Sequence, residues 1–230
     1  MRKFDYTFER RTIKKEVLAP CEGRGAKAKM GIKDIRRSFI LERAIKIFCD
    51  NSIAEVKIKD VAAYCNIGEA TFYRYFSKKT ALIVACAVKL QEKVADYFAS
   101  DTEGKGFDKL SRFYYRFYEI FSDHRDYYRF LSEFDSYCIR EAVSDLESYS
   151  DGMDVFKARF EEAYKEGVED GSVKKVWDLD LFYYSTTHAL LSLCKKLASE
   201  AYIVRQDDLT DKRQEIRTMI EVILQYLKNE

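Results

Sequence analysis

Hydrophobic positions near the start of the chain recur at helical spacing, and the helices that they predict are short. In "RRSFILERAIKIFCDNSI", one face of an amphipathic helix of about four turns would carry Phe39, Ile40, Ala44, Ile47 and Phe48. Residues 57–64 carry a second apolar stripe, and residues 69–75 a third. Isolated helices shorter than about 12–15 residues are marginal in water. The sequence therefore predicts that the three helices pack together as one unit.

The connections inside this unit also have a recognisable pattern. Residues 65–68 read "CNIG", which predicts a tight turn with Asn66 in the left-handed conformation. Asn51 is expected to end the first helix in the same conformation. Two short helices joined by a tight turn and braced by a longer helix form a helix-turn-helix unit. Its core is expected to contain Phe72, Phe76 and Leu82.

Apolar periodicity continues as helices to the end of the chain. The predicted ranges are 79–98, 107–122, 125–138, 139–167, 179–201 and 208–228, with a turn at "DGS" (170–172). One proline and nine glycines in 230 residues leave few helix breakers. We therefore predict an all-α fold with three parts. They are a basic N-terminal extension (1–32), a helix-turn-helix domain (33–82) and a larger helical domain (83–230).

The composition argues against several classes of protein. The first twenty residues are charged throughout, so a secretory signal is not expected. The longest wholly apolar run, residues 81–88, is too short to span a bilayer. Six scattered cysteines without a C-x-x-C pair predict neither a zinc site nor a disulfide framework. Reduced and mostly buried thiols fit a cytoplasmic protein. Because the two histidines are far apart and no catalytic motif is present, we expect neither an enzyme nor a cofactor.

Charge is distributed unevenly along the chain. Residues 1–82 carry 19 Lys and Arg against 10 Asp and Glu, whereas residues 83–230 carry 21 against 29. A basic front half favours a polyanionic partner. The alternative is a solvated tail, because residues 1–37 alone supply 12 positive charges against 5 negative. Arg24, Lys27 and Lys29 fit either an arm in the DNA minor groove or a floppy extension.

Four consecutive segments carry a resemblance to a known family. "AIKIF", "IKDVAAYCNI", "EATFYRYF" and "SKKTAL" follow one another as in the DNA-binding domain of the TetR/AcrR family of bacterial transcriptional regulators. Residues 40–82 resemble that domain. The resemblance implies a homodimeric regulator, most often a repressor, that binds a palindromic operator in double-stranded DNA and responds to a small ligand.

The last two predicted helices are expected to form the dimer, because their apolar faces are wider than an outer helix of a monomer needs. Two other functions stay open at this point. One is an effector-independent DNA-binding protein with an architectural or division-related role. The other is a helical carrier or enzyme whose resemblance is incidental.

A recognition helix enters the major groove by its N-terminal end, so its first residues must be slim or polar. Gly68, Ala70 and Thr71 satisfy this requirement. Arg74 lies one turn further on the same face and can fork onto guanine. Glu69 either accepts a hydrogen bond from cytosine or is a first-turn acid favoured by the helix dipole.

A second group of residues is predicted to contact the DNA backbone. The resemblance assigns phosphate contacts to Tyr73 and to Lys79. Lys57 stands where the family usually has a hydroxyl residue and can reach a phosphate as a point charge. Lys78 is expected to add an accessory charge.

Residues 107–137 contain twelve aromatic side chains. Each is suited to an ordinary core, but so many rings also fit a pocket for a small hydrophobic or aromatic effector. The pocket candidates are Phe113, Tyr114, Phe117, Tyr118, Phe121, Tyr128, Phe134 and Tyr137.

Overall fold

A computed structural model of the protein describes residues 31–98, 103–199 and 211–229. Within these ranges it contains α1 (Ile32–Asp50), α2 (Ile58–Tyr64), α3 (Glu69–Tyr73), α4 (Lys79–Phe98), α5 (Gly106–Asp123), α6 (Arg125–Arg140), α7 (Glu147–Glu169), α8 (Leu179–Ala198) and α9 (Lys212–Leu227). The predicted all-α class is confirmed. None of these helices has the length and apolarity needed to traverse a bilayer. The basic extension, with Arg24, Lys27 and Lys29, lies outside the described residues.

The first three helices share one apolar core, as the short helix lengths predicted. Helix α2 has seven residues and α3 has five, so neither is stable without its neighbours. Phe48 of α1, Val61 of α2 and Phe72 of α3 are all buried. Phe76 and Leu82, which follow α3, are buried too, so the predicted core positions of this unit are confirmed.

Two asparagines that were expected to adopt the same conformation differ. Asn66 has the predicted positive φ of 53° in the turn between α2 and α3. Asn51, by contrast, is extended after α1, with φ −139° and ψ 158°, so the prediction of a left-handed residue there is wrong. Its side-chain amide donates instead to the Ile47 carbonyl at 2.9 Å. That hydrogen bond satisfies a last-turn carbonyl without a left-handed residue.

Helix α4 joins the helix-turn-helix unit to the rest of the chain. It has 20 residues and is therefore about 30 Å long. Its first half buries Leu82 and Cys86 beside α1, and its second half buries Val94 and Phe98 in the larger domain. Between them, the buried Gln91 side chain donates to the Tyr149 carbonyl of α7 at 3.1 Å. One continuous helix therefore belongs to both halves of the molecule.

The larger domain consists of α5 to α9, and one predicted boundary in it is wrong. The second helix of this region was expected to end at residue 138 and the third to begin at 139, but α6 continues to Arg140 and α7 begins only at Glu147. Ala142 adopts a φ of 47°, and the Val143 amide donates back to the Cys138 carbonyl at 3.0 Å. This is the geometry of a helix C-terminus, formed here without the usual glycine.

Two glycines allow α5 and α7 to approach closely. A Cβ atom added at Gly106 would lie 2.0 Å from the Gly167 backbone nitrogen, so the crossing admits no side chain there. The Gly106 amide also donates to the Asp170 carboxylate at 2.8 Å. This crossing fixes α5, which supplies one wall of the cavity described below.

Candidate nucleic-acid interface

The N-terminal end of α3 projects from the three-helix unit. Gly68, Glu69 and Ala70 are exposed, and Thr71 is half-buried. A Cβ atom added at Gly68 would have no neighbour within 4 Å. The Gly68 carbonyl accepts from the Thr71 amide at 2.9 Å, which starts the helix at the residue after the glycine. The slim edge predicted for a recognition helix is therefore open to a partner.

The aromatic side chains of α3 point in opposite directions. Phe72 faces the core, whereas Tyr73 is 50% exposed and packs edge-on against the Phe72 ring, with centroids 5.6 Å apart. Arg74 follows on the exposed side and forms no ion pair with any residue that the structure describes. Its guanidinium group is therefore available to an external acceptor.

Two lysines were assigned to DNA contacts near the turns before α2 and α4. Lys57 is the exposed residue preceding α2, and its amide donates to the Asp60 side chain at 2.8 Å. Asp60 is the third residue of α2 and satisfies the amide of residue 57, as the acidic member of a capping box does, whereas a hydroxyl residue at 57 would accept from a first-turn amide. Lys78 is exposed and precedes α4. Both ammonium groups are on the surface of the helix-turn-helix unit.

Lys79 occupies a different environment from the other candidates. Its ammonium group donates to the Ala54 carbonyl at 3.1 Å and lies 5.6 Å from the centroid of the Tyr137 ring. Burial lowers the pKa of Lys79, while the charge of Glu141 acts in the opposite direction. The ammonium group is held against the protein surface by these contacts in this conformation, and a phosphate contact from it stays a prediction.

A groove between α1 and α3 contains two cations that the sequence analysis did not single out. The α1–α3 groove is lined by Ile32, Lys33, Arg36, Arg74 and Tyr75. Lys33 and Arg36 are three residues apart on a helix, so their exposed side chains share one face beside Arg74. The spacing of Lys33 and Arg36 is visible in the sequence, but the prediction considered only the cations of the N-terminal extension. Three positive side chains in one groove suit phosphate oxygens.

Helix α6 forms the junction between the helix-turn-helix unit (α1 to α3, called the reading unit below) and the larger domain. The Glu133 carboxylate accepts from the Ser52 hydroxyl at 2.7 Å and from the Ile53 amide at 3.1 Å. One turn further, the Tyr137 hydroxyl lies 3.1 Å from the Thr80 hydroxyl at the start of α4. The loop after α1 and the start of α4 are both attached to α6. The sequence gives no signal for Glu133, because its partners are about 80 residues away.

A cavity of about 210 Å³ lies in the larger domain, lined by residues of α4, α5, α6, α7 and α8. Of the eight pocket candidates, Phe113, Phe117 and Tyr128 line it. The other five do not: they are Tyr114, Tyr118, Phe121, Phe134 and Tyr137.

Some of these five have clear alternative roles. The hydroxyl of Tyr114 lies 2.8 Å from the Thr186 hydroxyl, and Tyr137 belongs to the junction. The sequence analysis missed the contributions of α7 and α8, among them Asp154, Tyr184 and His188. The pocket prediction considered only residues 107–137, where aromatic side chains are dense, and these residues belong to α5 and α6.

Comparison with known proteins finds a family match for the first part of the chain and similar folds for most of it. Residues 40–86 match the family model described as bacterial regulatory proteins of the tetR family. Among solved structures, the fold is similar to Salmonella enterica GusR, with a TM-score of 0.64 and 18% identity over 86% of this chain and 100% of that chain. A comparison with curated proteins finds no match.

Two further solved structures are similar to this chain. One is the transcriptional regulator FadR from Bacillus subtilis in complex with stearoyl-CoA, with a TM-score of 0.63 and 14% identity over 82% of this chain and 98% of that chain. The other is the ketosteroid transcriptional regulator KstR2 of Mycobacterium tuberculosis, with a TM-score of 0.57 and 15% identity over 85% of this chain and 96% of that chain. At these identities the similarity establishes the fold.

The α1–α3 groove generates a prediction about salt dependence. If Lys33 contacts a phosphate, Lys33→Ala should weaken binding to any DNA duplex and reduce the slope of log K against log salt by about 0.9. Lys46→Ala is the matched control, because Lys46 is also exposed on α1 but does not line the groove. Fluorescence anisotropy between 50 and 200 mM salt, roughly the range over which such contacts are lost, measures both slopes. Equal slopes for the two variants would show that Lys33 does not contact a phosphate.

Proposed function

From the tetR-family fold of the chain and the family match of residues 40–86, we propose that this protein is a homodimeric transcriptional regulator. It binds a near-palindromic operator in double-stranded DNA, and a small hydrophobic or aromatic effector releases it, so that it acts as a repressor. The observation that carries the proposal is the exposed, slim edge of α3 beside Lys33, Arg36 and Arg74, which form no ion pair within the described part of the chain.

The reading unit divides its contacts between bases and phosphates. With Gly68 and Ala70 at the tip, the α3 backbone can approach the floor of the major groove. Arg74 then reaches base edges, where its fork matches guanine O6 and N7. Lys33 and Arg36 contact the flanking backbone, which sets orientation and contributes affinity on every sequence.

The dimer forms through α8 and α9. These helices expose large apolar side chains in the monomer: Leu181 is 57%, Tyr184 45%, Val222 62% and Tyr226 54% exposed. Their opposite faces are buried in the domain core, so the exposed residues are a second apolar face. Exposed apolar side chains on two neighbouring helices favour an interface, and two helices from each subunit form a four-helix interface. Two-fold symmetry then presents two copies of α3 to successive major grooves.

Helix α4 connects the cavity with the reading unit. Val94 and Phe98 of α4 line the cavity, while Thr80 and Lys79 at its other end contact α6 at the junction. A ligand that shifts the second half of α4 therefore moves the start of that helix and the attached reading unit. A ligand that prefers the shifted state draws the population away from the DNA-binding state.

The existence of a cavity also separates this function from its main rival. An effector-independent DNA-binding protein was expected to have a fully packed larger domain. The observed cavity instead favours a response to a small molecule. Bacillus subtilis FadR was solved in complex with stearoyl-CoA, which supports effector binding as a role for this fold.

Selection of bound duplexes from a random DNA pool tests the function as a whole. The wild-type protein should recover an inverted repeat, because a two-fold dimer reads two equivalent half-sites. Arg74→Ala should recover the same repeat with the preference lost at one base position per half-site, at a cost of about 1–3 kcal/mol there. Recovery of no enriched sequence would contradict the proposed function. Uniform weakening by Arg74→Ala would contradict only the base contact.

Charge placed in the α8–α9 face should prevent dimer formation. Val222→Glu inserts a carboxylate into the proposed four-helix interface, where burying it unpaired is strongly unfavourable. Ile139→Glu is the matched control, because Ile139 is 82% exposed near the end of α6 and belongs to neither α8 nor α9. Sedimentation velocity should show a dimer for the wild type and for Ile139→Glu, and a monomer for Val222→Glu. A Val222→Glu dimer of undiminished affinity would exclude this interface.

A further inference from the structure

The charged groups around the cavity in the larger domain are mainly negative. This 210 Å³ space between α4, α5, α6, α7 and α8 is called the aromatic cavity below. Most of its wall is formed by hydrocarbon and aromatic side chains. Among the described residues that line it there is no lysine and no arginine, and the single carboxylate is that of Asp154. His188 is the other ionisable group in the wall apart from the tyrosines. A buried carboxylate ligand would find neither a lysine nor an arginine in this wall.

The lysine one turn after Asp154 on α7 is already paired. Lys157 lies three residues after Asp154 on α7, but its ammonium group is 2.8 Å from the Asp180 carboxylate and 3.5 Å from that of Glu161. It also lies 5.5 Å from the centroid of the Tyr184 ring. Asp154 is exposed and forms no ion pair with any residue in the described ranges. The two carboxylates that pair with Lys157 already exceed its single positive charge, so Lys157 leaves the Asp154 carboxylate uncompensated.

The tyrosine rings in the wall favour a positive guest. Burial raises the pKa of Tyr183 to about 12, and burial also raises the pKa values of Tyr127 and Tyr128, so all three are neutral at physiological pH. The Tyr128 hydroxyl donates to the Phe117 carbonyl at 3.1 Å and is thereby occupied within the protein. What such rings offer a ligand is mainly their negative faces, which attract cations.

We propose that the aromatic cavity binds a small lipophilic organic cation, such as an aromatic or alkylated amine or a quaternary ammonium compound. The hydrocarbon part lies among the rings, and the cationic head lies at the opening beside Asp154. A cavity of about 210 Å³ is below the range typical of drug-sized ligands, so the guest is small. Fatty acids and acyl thioester conjugates are disfavoured, since their anionic groups would meet Asp154 and no free cation.

This inference rests on the proposed function in one respect: the cation would be the effector. It also places one residue in two roles, because Tyr184 lines the cavity and belongs to the α8–α9 face. A dimer therefore covers part of the opening, and the test below uses the full-length protein in its dimeric form.

Three aromatic probes of similar size, of which the first two have nearly the same shape, test the effect of charge. They are (3-hydroxyphenyl)trimethylammonium, its neutral isostere 3-tert-butylphenol, and the anion 3-tert-butylbenzoate. Calorimetric titration of the wild-type protein should show that the cation binds about tenfold more tightly than the phenol, with the benzoate weakest. Equal or tighter binding of the phenol or the benzoate would overturn the proposal.

Two substitutions locate the charge preference. Asp154→Asn should lower the affinity for the cation about fivefold to tenfold and leave that for 3-tert-butylphenol unchanged. Asp151→Asn is the matched control, because Asp151 is an exposed aspartate one turn earlier on α7 that does not line the cavity. A cation preference that survives Asp154→Asn undiminished would overturn the proposal.

A separate measurement keeps this inference distinct from the proposed function. Binding of the protein to its selected operator is measured with and without a saturating amount of the cation. Release of DNA supports both the ligand class and the effector role. Cation binding without release supports the ligand class and contradicts the effector role.

Discussion

A single continuous helix, α4, belongs to two hydrophobic cores, and the arrangement of the whole molecule depends on this. Leu82 and Cys86 bury one end of α4 with the reading unit, and Val94 and Phe98 bury the other end in the larger domain. A packed helix transmits displacement because its core positions are close-packed and do not deform freely. Any change at the cavity therefore has a direct mechanical route to the three-helix unit, in which α2 and α3 are too short to be stable on their own.

The junction on α6 sets the limits of that movement. Glu133 holds the loop after α1 through the Ser52 hydroxyl and the Ile53 amide, so the reading unit is attached at a second point besides α4. Lys79 stacks beside Tyr137 at the same place. Two attachments fix the orientation of α3 more firmly than one, while its exposed edge stays free. A discrete change in this pair of contacts is the kind of two-state element that regulation by a ligand requires.

Local features of the fold could be predicted from the sequence, and long-range ones could not. The three-helix unit followed from apolar spacing, and the turn at Asn66 followed from residue type, because both depend on near neighbours. The prediction for Asn51 was wrong because its side chain forms a hydrogen bond to the last turn of α1, which replaces the left-handed cap. The Glu133 contacts and the role of Asp154 arise only when distant helices meet. Aromatic density indicated a pocket region but did not separate lining rings from packed ones.

In the proposed dimer, the interface, α4 and the junction hold the two reading units at a fixed separation. The most direct measurement is the affinity of the wild-type protein for its selected inverted repeat as base pairs are inserted, one at a time, at the centre. Five added base pairs rotate the half-sites by about half a turn of B-DNA, so the account expects affinity to fall at least about tenfold. Affinity that does not change with spacing would contradict a fixed separation.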